Sequence, residues 1–364
     1  MSSLDRSTTS LHFPPMLGWD VTFDTCFTPF LASGAVPGRV VRVDRGLCDV
    51  LVADDDDPGL LRTVRADWSG ISSADPMRNP CTGDWAVVHM DAGQPASISA
   101  LLPRRTAVVR GSAGERSDGQ VLAANVDHVL ISVSLAAKPD AGRIERLLAL
   151  AWESGAIPVV VLTKADAPHD PSWVDEVAAV APGVTVVAVS ALTGVGMLEL
   201  SELLGSGTAA LLGQSGVGKS TLTNALCGAD VMATGATRAV DEKGRHTTTT
   251  RELVALPGGG ALIDTPGLRS VGLFGGESGV DQAFNDVLEL ASACRFADCG
   301  HASEPGCAVT AAVALGTLPQ RRLDSYRKLL RENAWVASRS DARVAAERQR
   351  EWKMRSRSSN PARP

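Results

Sequence analysis

Gly213-Gln-Ser-Gly-Val-Gly-Lys219-Ser220 follows directly on the apolar run Ala209-Ala-Leu-Leu212 and opens onto Ser220-Thr-Leu-Thr-Asn-Ala-Leu226. A strand, a glycine loop and a helix are predicted in that order, the context in which G-x-x-x-x-G-K-[ST] holds phosphate. Glycine lets the backbone curl until successive N–H groups point inward at phosphate oxygens, and the helix start adds its partial positive charge. Gly213, Gln214, Ser215, Gly216, Val217, Gly218, Lys219, Ser220 and Thr221 are therefore the expected phosphate contacts. Lys219 neutralises the β- and γ-phosphates, and the Ser220 hydroxyl ligates the Mg²⁺ that accompanies the nucleotide.

Downstream, Arg251-Glu-Leu-Val-Ala-Leu-Pro, a triple glycine and Ala261-Leu-Ile-Asp-Thr-Pro-Gly267 read as a hairpin. Asp264 ends its second strand, where a carboxylate reaches Mg²⁺ through water, and Gly267 can approach a γ-phosphate. Between the loop and this hairpin lies His246-Thr-Thr-Thr-Thr250. Thr248 or Thr249 is the expected switch hydroxyl for Mg²⁺ and γ-phosphate, and four adjacent threonines leave that choice open.

A phosphate loop does not choose a base. Thr163-Lys-Ala-Asp166 closes the buried run Val159-Val-Val-Leu162. Asp166 can accept from both N1–H and the exocyclic amine of guanine, a donor pair adenine lacks, while Lys164 lies along the base and Ala165 completes the loop. Thr163 stands where most G domains carry Asn; it loses one amide contact, which a hydroxyl partly replaces. Val189-Ser190-Ala191 comes at the next strand end, from 166 to 190 a spacing that suits a loop offering backbone N–H to the guanine O6. No [NT]KxD occurs after Asp264. The base-reading elements therefore precede the phosphate loop, a circularly permuted order.

Around these motifs, buried strands alternate with amphipathic helices: VDHVLISVS, AGRIERLLALAWESG, PVVVLTKAD, SWVDEVAAVAPG and VTVVAVSA. That alternation predicts a parallel sheet with covering helices over 111–275. Before it, short β-rich runs punctuated by Gly, Pro and Asp predict an all-β barrel over 36–110, and 1–35 reads as an irregular extension. Beyond 276, Cys294-x4-Cys299-x-His301-x5-Cys307 supplies a full Cys₃His set for one structural Zn²⁺ in a helical segment reaching 350, followed by a basic tail over 351–364. The fold class is thus multidomain: an all-β barrel, a central α/β P-loop domain, and an α-rich metal-binding domain.

The 364-residue chain carries a net charge of −6, but 13 Lys/Arg against 5 Asp/Glu from Arg321 onward make the C-terminal end basic. No apolar run reaches the ~20 residues of a membrane helix. The first residues lack a secretory pattern. A cytoplasmic protein with no membrane partner is expected.

The permuted TKAD, VSA, GQSGVGKST, RHTTT and DTPG series, preceded by a β module and followed by CRFADCGHASEPGCAV, resembles the RsgA (YjeQ) family of small ribosomal subunit biogenesis GTPases over about residues 36–335. The resemblance implies an OB-fold barrel, a permuted G domain, a zinc domain, and a monomer that docks on the small ribosomal subunit and its rRNA. It implies GTP hydrolysis to GDP, stimulated by the subunit, as a late maturation checkpoint that drives release. Leu268 replaces the glutamine that orients water in many GTPases, and His246 resembles the family histidine proposed to act instead. By charge alone, Arg39, Arg42, Arg45, Arg104, Arg105 and the C-terminal helix are the expected RNA contacts. The competing reading is an RNA-binding zinc protein that uses nucleotide only as a structural or regulatory ligand.

Overall fold

The computed structural model describes residues 13, 16–54, 56–57, 59–91, 93–111, 119–232, 251–265 and 278–336. Five strands close a barrel: β1 (Val36–Val43), β2 (Leu47–Ala53), β3 (Leu61–Asp67), β4 (Trp85–His89) and β5 (Ala96–Leu101), in the order β1-β2-β3-β5-β4. Alternation does the sorting. Along β2, Cys48, Val50 and Val52 point inward while their neighbours are only half-buried, and the inward set packs with Val40, Ala66, Ala86, Val88 and Ile98. Closure leaves no unpaired strand edge.

The segment ahead of the barrel is ordered where the sequence suggested irregularity. Helix α1 (Val21–Phe27) is capped by Asp20, whose carboxylate accepts from the N–H groups of Thr22 (2.9 Å) and Phe23 (3.2 Å). Trp19 meets Trp85 of β4 edge to face with ring centres 4.7 Å apart, and Phe13 and Phe23 pack on the same indole. No periodicity in this short stretch announces it, because its partner surface lies some 60 residues away in sequence.

A hairpin, β6 (Ala107–Gly111) with β7 (Gly119–Ala124), leads from the barrel into a six-stranded sheet. Its members are β8 (His128–Ser134), β9 (Ile157–Thr163), β10 (Thr185–Ala188), β11 (Thr208–Leu212), β12 (Glu252–Ala255) and β13 (Ala261–Asp264), ordered β10-β9-β8-β11-β13-β12. All neighbours run parallel except the β12–β13 hairpin. Both faces are covered, so the middle of β8 is a continuous buried run: Val129 and Ile131 join one core, Leu130 the other. Helix α2 (Ala141–Glu153), capped by Asp140, lies on the first face; α3 (Ser172–Val180), α4 (Met197–Leu204) and α5 (Lys219–Cys227) complete the set.

The C-terminal part is helical, with helices Ser278–Ala283, Asn285–Ala291 and Ala308–Ala314 and a longer one over 320–336. Val280, Phe284, Val287, Leu323, Tyr326 and Leu329 share one continuous apolar core with Ile144, Leu147 and Leu148 of α2. Gly279 sits so close to α2 that a Cβ there would lie 2.3 Å from the carbonyl oxygen of Ala149. No helix among the described residues is long and apolar enough to cross a membrane.

Candidate functional site

Because β8, β9, β10, β11 and β13 are parallel, their carboxyl ends share one edge of the sheet, the place where α/β folds bind ligands. Thr163 ends β9, Leu212 ends β11 immediately before the phosphate loop, Asp264 ends β13, and Ser190 follows β10. Elements scattered over a hundred residues thus converge.

The phosphate loop turns on glycines held at positive φ, Gly216 at 83° and Gly218 at 101°, which a side chain would strain. Gln214, Ser215 and Gly216 are exposed at its crest, while Val217 is buried beneath it. Lys219 Nζ donates to the carbonyls of Gly213 (3.0 Å) and Gln214 (2.9 Å), which keeps the ammonium folded over the loop where phosphate charge would sit. Ser220 and Thr221 follow in the first turn of α5, half-buried at its start. Asp264 is 7% exposed, and the hydroxyl of its neighbour Thr265 donates to Leu211 O, joining the β13 end to the strand that feeds the loop.

Base-reading residues are stitched to the same loop. The buried hydroxyl of Thr163 donates to Val217 O at 2.5 Å and faces Val133 O at 3.2 Å. The bond to Val217 O ties β9 to the phosphate loop. Lys164 adopts the left-handed region, φ 59°, and its Nζ donates to Gly216 O at 2.9 Å. Ala165 N–H is held by Val189 O at 3.1 Å, and Asp166 is exposed with Oδ1 accepting from Ser190 Oγ at 2.6 Å. Ser190 in turn accepts from Thr193 N–H (3.1 Å), while Ala191 N–H makes no hydrogen bond among the described residues. A carboxylate with a free face, an open N–H and a glycine phosphate cradle on one sheet edge can take up a purine nucleotide whose base presents a donor pair beside an acceptor. His246, Thr248, Thr249, Gly267 and Leu268 lie outside the described residues.

Cys294, Cys299, His301 and Cys307 bring their ligand atoms within 4.8 Å of one another. The separations are Cys294 Sγ–His301 Nδ1 3.6 Å, Cys307 Sγ–His301 Nδ1 3.6 Å and Cys294 Sγ–Cys307 Sγ 3.8 Å. A tetrahedral ion with metal–sulfur bonds of ~2.3 Å and metal–nitrogen bonds of ~2.0 Å spaces its ligands by about 3.5–3.8 Å, so the cluster fits a metal and Nδ1 is the nitrogen that faces it. Backbone N–H groups of Ala308 and Thr310 point at Cys294 Sγ (3.3 Å) and Cys307 Sγ (3.4 Å), which favours thiolate. Burial opposes ionisation of Cys307, but the bonds from Thr310 and His301 bring its thiol down to about 6. Arg327 of the 320–336 helix donates to His301 O, anchoring the metal loop.

The arginines chosen by charge are mostly structural. Arg39 is fully buried, donates to Asn125 O (2.9 Å) and Thr208 Oγ1 (3.2 Å), and lies over the Trp85 ring. Arg104 forms two 2.7 Å bonds to the buried Asp84, Arg105 pairs with Asp20 and covers Phe23, and Arg42 pairs with Asp44. Of the five, Arg45 alone is exposed without an ion pair among the described residues. Charge counting missed these burials, and the aspartates that hold three of the arginines are remote in sequence or ordinary turn residues to the eye.

The RsgA GTPase family profile matches residues 101–274. A protein of Streptomyces avermitilis named small ribosomal subunit biogenesis GTPase RsgA is 55% identical over 97% of this chain and 95% of its own length. The chain belongs to the RsgA family. A Streptomyces coelicolor RsgA of the same description is 57% identical over 93% of this chain and 91% of its own. Among solved structures, YjeQ of Thermotoga maritima superposes with a TM-score of 0.58 at 25% identity, covering 81% of this chain and 97% of that one. YloQ, described as a circularly permuted GTPase, gives 0.56 at 24% identity over 85% and 96%, a likeness of fold. RsgA membership accords with the barrel, the permuted motif order and the Cys₃His cluster together.

Proposed function

We propose that this protein hydrolyses GTP to GDP and phosphate in response to the small ribosomal subunit, as a late maturation checkpoint whose turnover drives its own release. The observation that carries the nucleotide part is the convergence of Thr163, Asp166, Ser190 and the 213–220 loop on one sheet edge. The ribosomal part rests on relatives named small ribosomal subunit biogenesis GTPase at 55–57% identity.

In this reading Asp166 accepts from the two guanine donors, with Ser190 fixing its rotamer and Ala191 N–H meeting O6. Lys164 covers the base edge while its amine braces Gly216. The loop N–H groups and Lys219 hold the β- and γ-phosphates. Ser220, Thr248 or Thr249, and Asp264 through water, hold the Mg²⁺, which when bound draws charge from the phosphates. Gly267 approaches the γ-phosphate. His246 orients or accepts a proton from the attacking water when the subunit is bound, since Leu268 offers no amide. Cys294, Cys299, His301 and Cys307 hold one Zn²⁺ that shapes the RNA-facing helical domain. The protein works as a cytoplasmic monomer.

Turnover of GTP and ATP measured with and without purified small and large subunits tests the reading. Selective GTP use, accelerated by the small subunit, is expected; equal use of both nucleotides, or no response to the small subunit, overturns it. Wild-type stimulated turnover in His246→Ala would remove that residue from the reaction. Loss of stimulation with retained GTP binding supports it. If zinc and RNA binding persist with no hydrolysis at all, nucleotide is a structural ligand and the second reading stands.

A further inference from the structure

Helix α2 touches both the phosphate loop and the C-terminal helices through polar side chains close together in sequence. At its first turn, Gln214 takes the amide orientation in which its oxygen accepts from both terminal nitrogens of Arg143 (2.9 Å from one), because the opposite orientation sets N–H against N–H. Asp140 flanks the same guanidinium at 3.9 Å. Two and three residues on, Glu145 and Arg146 reach the C-terminal helices instead. Glu145, with no exposed surface, accepts from Arg321 Nη1 (3.0 Å) and Arg322 Nη1 (2.9 Å), and Arg146 pairs with Glu332. Arg322 continues the network to Asp286 (2.8 Å) and Ala283 O (2.7 Å). At the end of α2, Glu153 accepts from Gly279 N–H at 2.8 Å.

We propose that Arg143 is a positioning residue for nucleotide binding, and that through α2 it links phosphate-loop geometry to the seating of the C-terminal helices. The physical basis is stiffness. A cavity of about 120 Å³, lined in part by Ser132, Ser134, Lys138 and Val217, separates this side of the phosphate loop from α2, and Arg143 is the polar bridge across it. Gln214 is the second residue of the loop, so its side-chain anchor sets where the following N–H groups point. The C-terminal side of α2 is locked by the buried Glu145–Arg322 pair and its partner Asp286, which resists independent sliding because a displaced partner would strand a buried charge. A shift of the loop on nucleotide binding is then passed to helix 320–336, and by reciprocity a partner that grips that helix changes nucleotide affinity. This link is additional to the chain running from β13 into the helical domain.

The inference rests on the GTP-binding reading above, and a full-length protein with a non-hydrolysable GTP analogue tests it. Arg143 is partly exposed, so Arg143→Ala is expected to fold with an unchanged melting temperature without nucleotide. Its Kd for the analogue should rise about tenfold, the loss of a charge-assisted pair of hydrogen bonds. Gln214→Ala should match it, and the double variant should be no worse than either. Arg143→Lys, which cannot span both contacts, should recover less than half of the loss. Wild-type protein should gain amide-exchange protection in residues 320–336 when the analogue binds, and Arg143→Ala should not. An unchanged Kd, additive single variants, or the same protection change in Arg143→Ala would overturn the proposal; no analogue binding by the wild type would remove it along with the nucleotide reading. Failure of the ribosomal reading shows separately, as turnover indifferent to the small subunit.

Discussion

Ser190 Oγ donates to Asp166 Oδ1 at 2.6 Å across two loops that follow neighbouring parallel strands. The bond holds the carboxylate at one rotamer, with its other oxygen unpartnered among the described residues, a preorganisation that spares the ordering cost on binding. Ser190→Ala should weaken GTP and GDP alike by about tenfold, the worth of one charge-assisted bond. Asp166→Asn should do more, because its amide presents N–H where guanine also presents N–H. Xanthine, with a carbonyl at that position, should then be favoured over guanine by on the order of a hundredfold. Competition binding with GTP and XTP reads both; retained guanine preference in Asp166→Asn would refute the assignment.

Thr163 is bonded to the phosphate loop through Val217 O. Thr163→Val keeps the shape but leaves Val217 O without its buried donor, at a cost of about 1–3 kcal/mol. We expect a lower melting temperature and weaker nucleotide binding with an unaltered ratio of GTP to ITP affinity. A changed ratio with full stability would return Thr163 to base recognition.

Metal removal should act locally. Elemental analysis is expected to find one zinc per chain, lost in Cys307→Ser. Metal binding contributes on the order of 10 kcal/mol to segments with little core of their own. Its loss should therefore speed amide exchange across 294–318, while the six-stranded sheet stays protected. A metal-free wild-type protein with the same exchange pattern would exclude a structural ion.

Arg39 is charged, fully buried, and leaves Nε and Nη1 without hydrogen bonds among the described residues. Burial pushes its guanidinium down to about 9 from an ordinary 12.5. The unfolded chain therefore binds the proton more tightly than the folded one. The charge costs stability at neutral pH, and that cost is relieved only as pH climbs past about 9. Arg39→Met, apolar and similar in length, should be neutral or stabilising at pH 7, with its advantage shrinking at higher pH. Chemical denaturation at pH 7 and pH 9.5 checks this, and a loss above about 2 kcal/mol at pH 7 would show that the bonds to Asn125 and Thr208 outweigh desolvation.

Much of the architecture is local enough to read from the chain. Glycines at fixed spacing, a lysine and an apolar run announce 209–226, because backbone curvature and phosphate charge demand those residue types adjacent to one another. The same holds for the Cys₃His spacing and for strand periodicity, which marks β1 to β5 and β8 to β13. Permutation too is legible, since motif order is a property of sequence. What only the tertiary structure decided are pairings between distant side chains. Trp19 against Trp85, Thr163 on Val217 O, Arg39 beneath the barrel and Arg143 on Gln214 involve ordinary residues whose neighbours along the chain say nothing of their partners. A hydrogen bond or a buried charge is set by what lies within 3 Å or so in space, and that is settled only when the parallel strands bring their carboxyl ends to one edge.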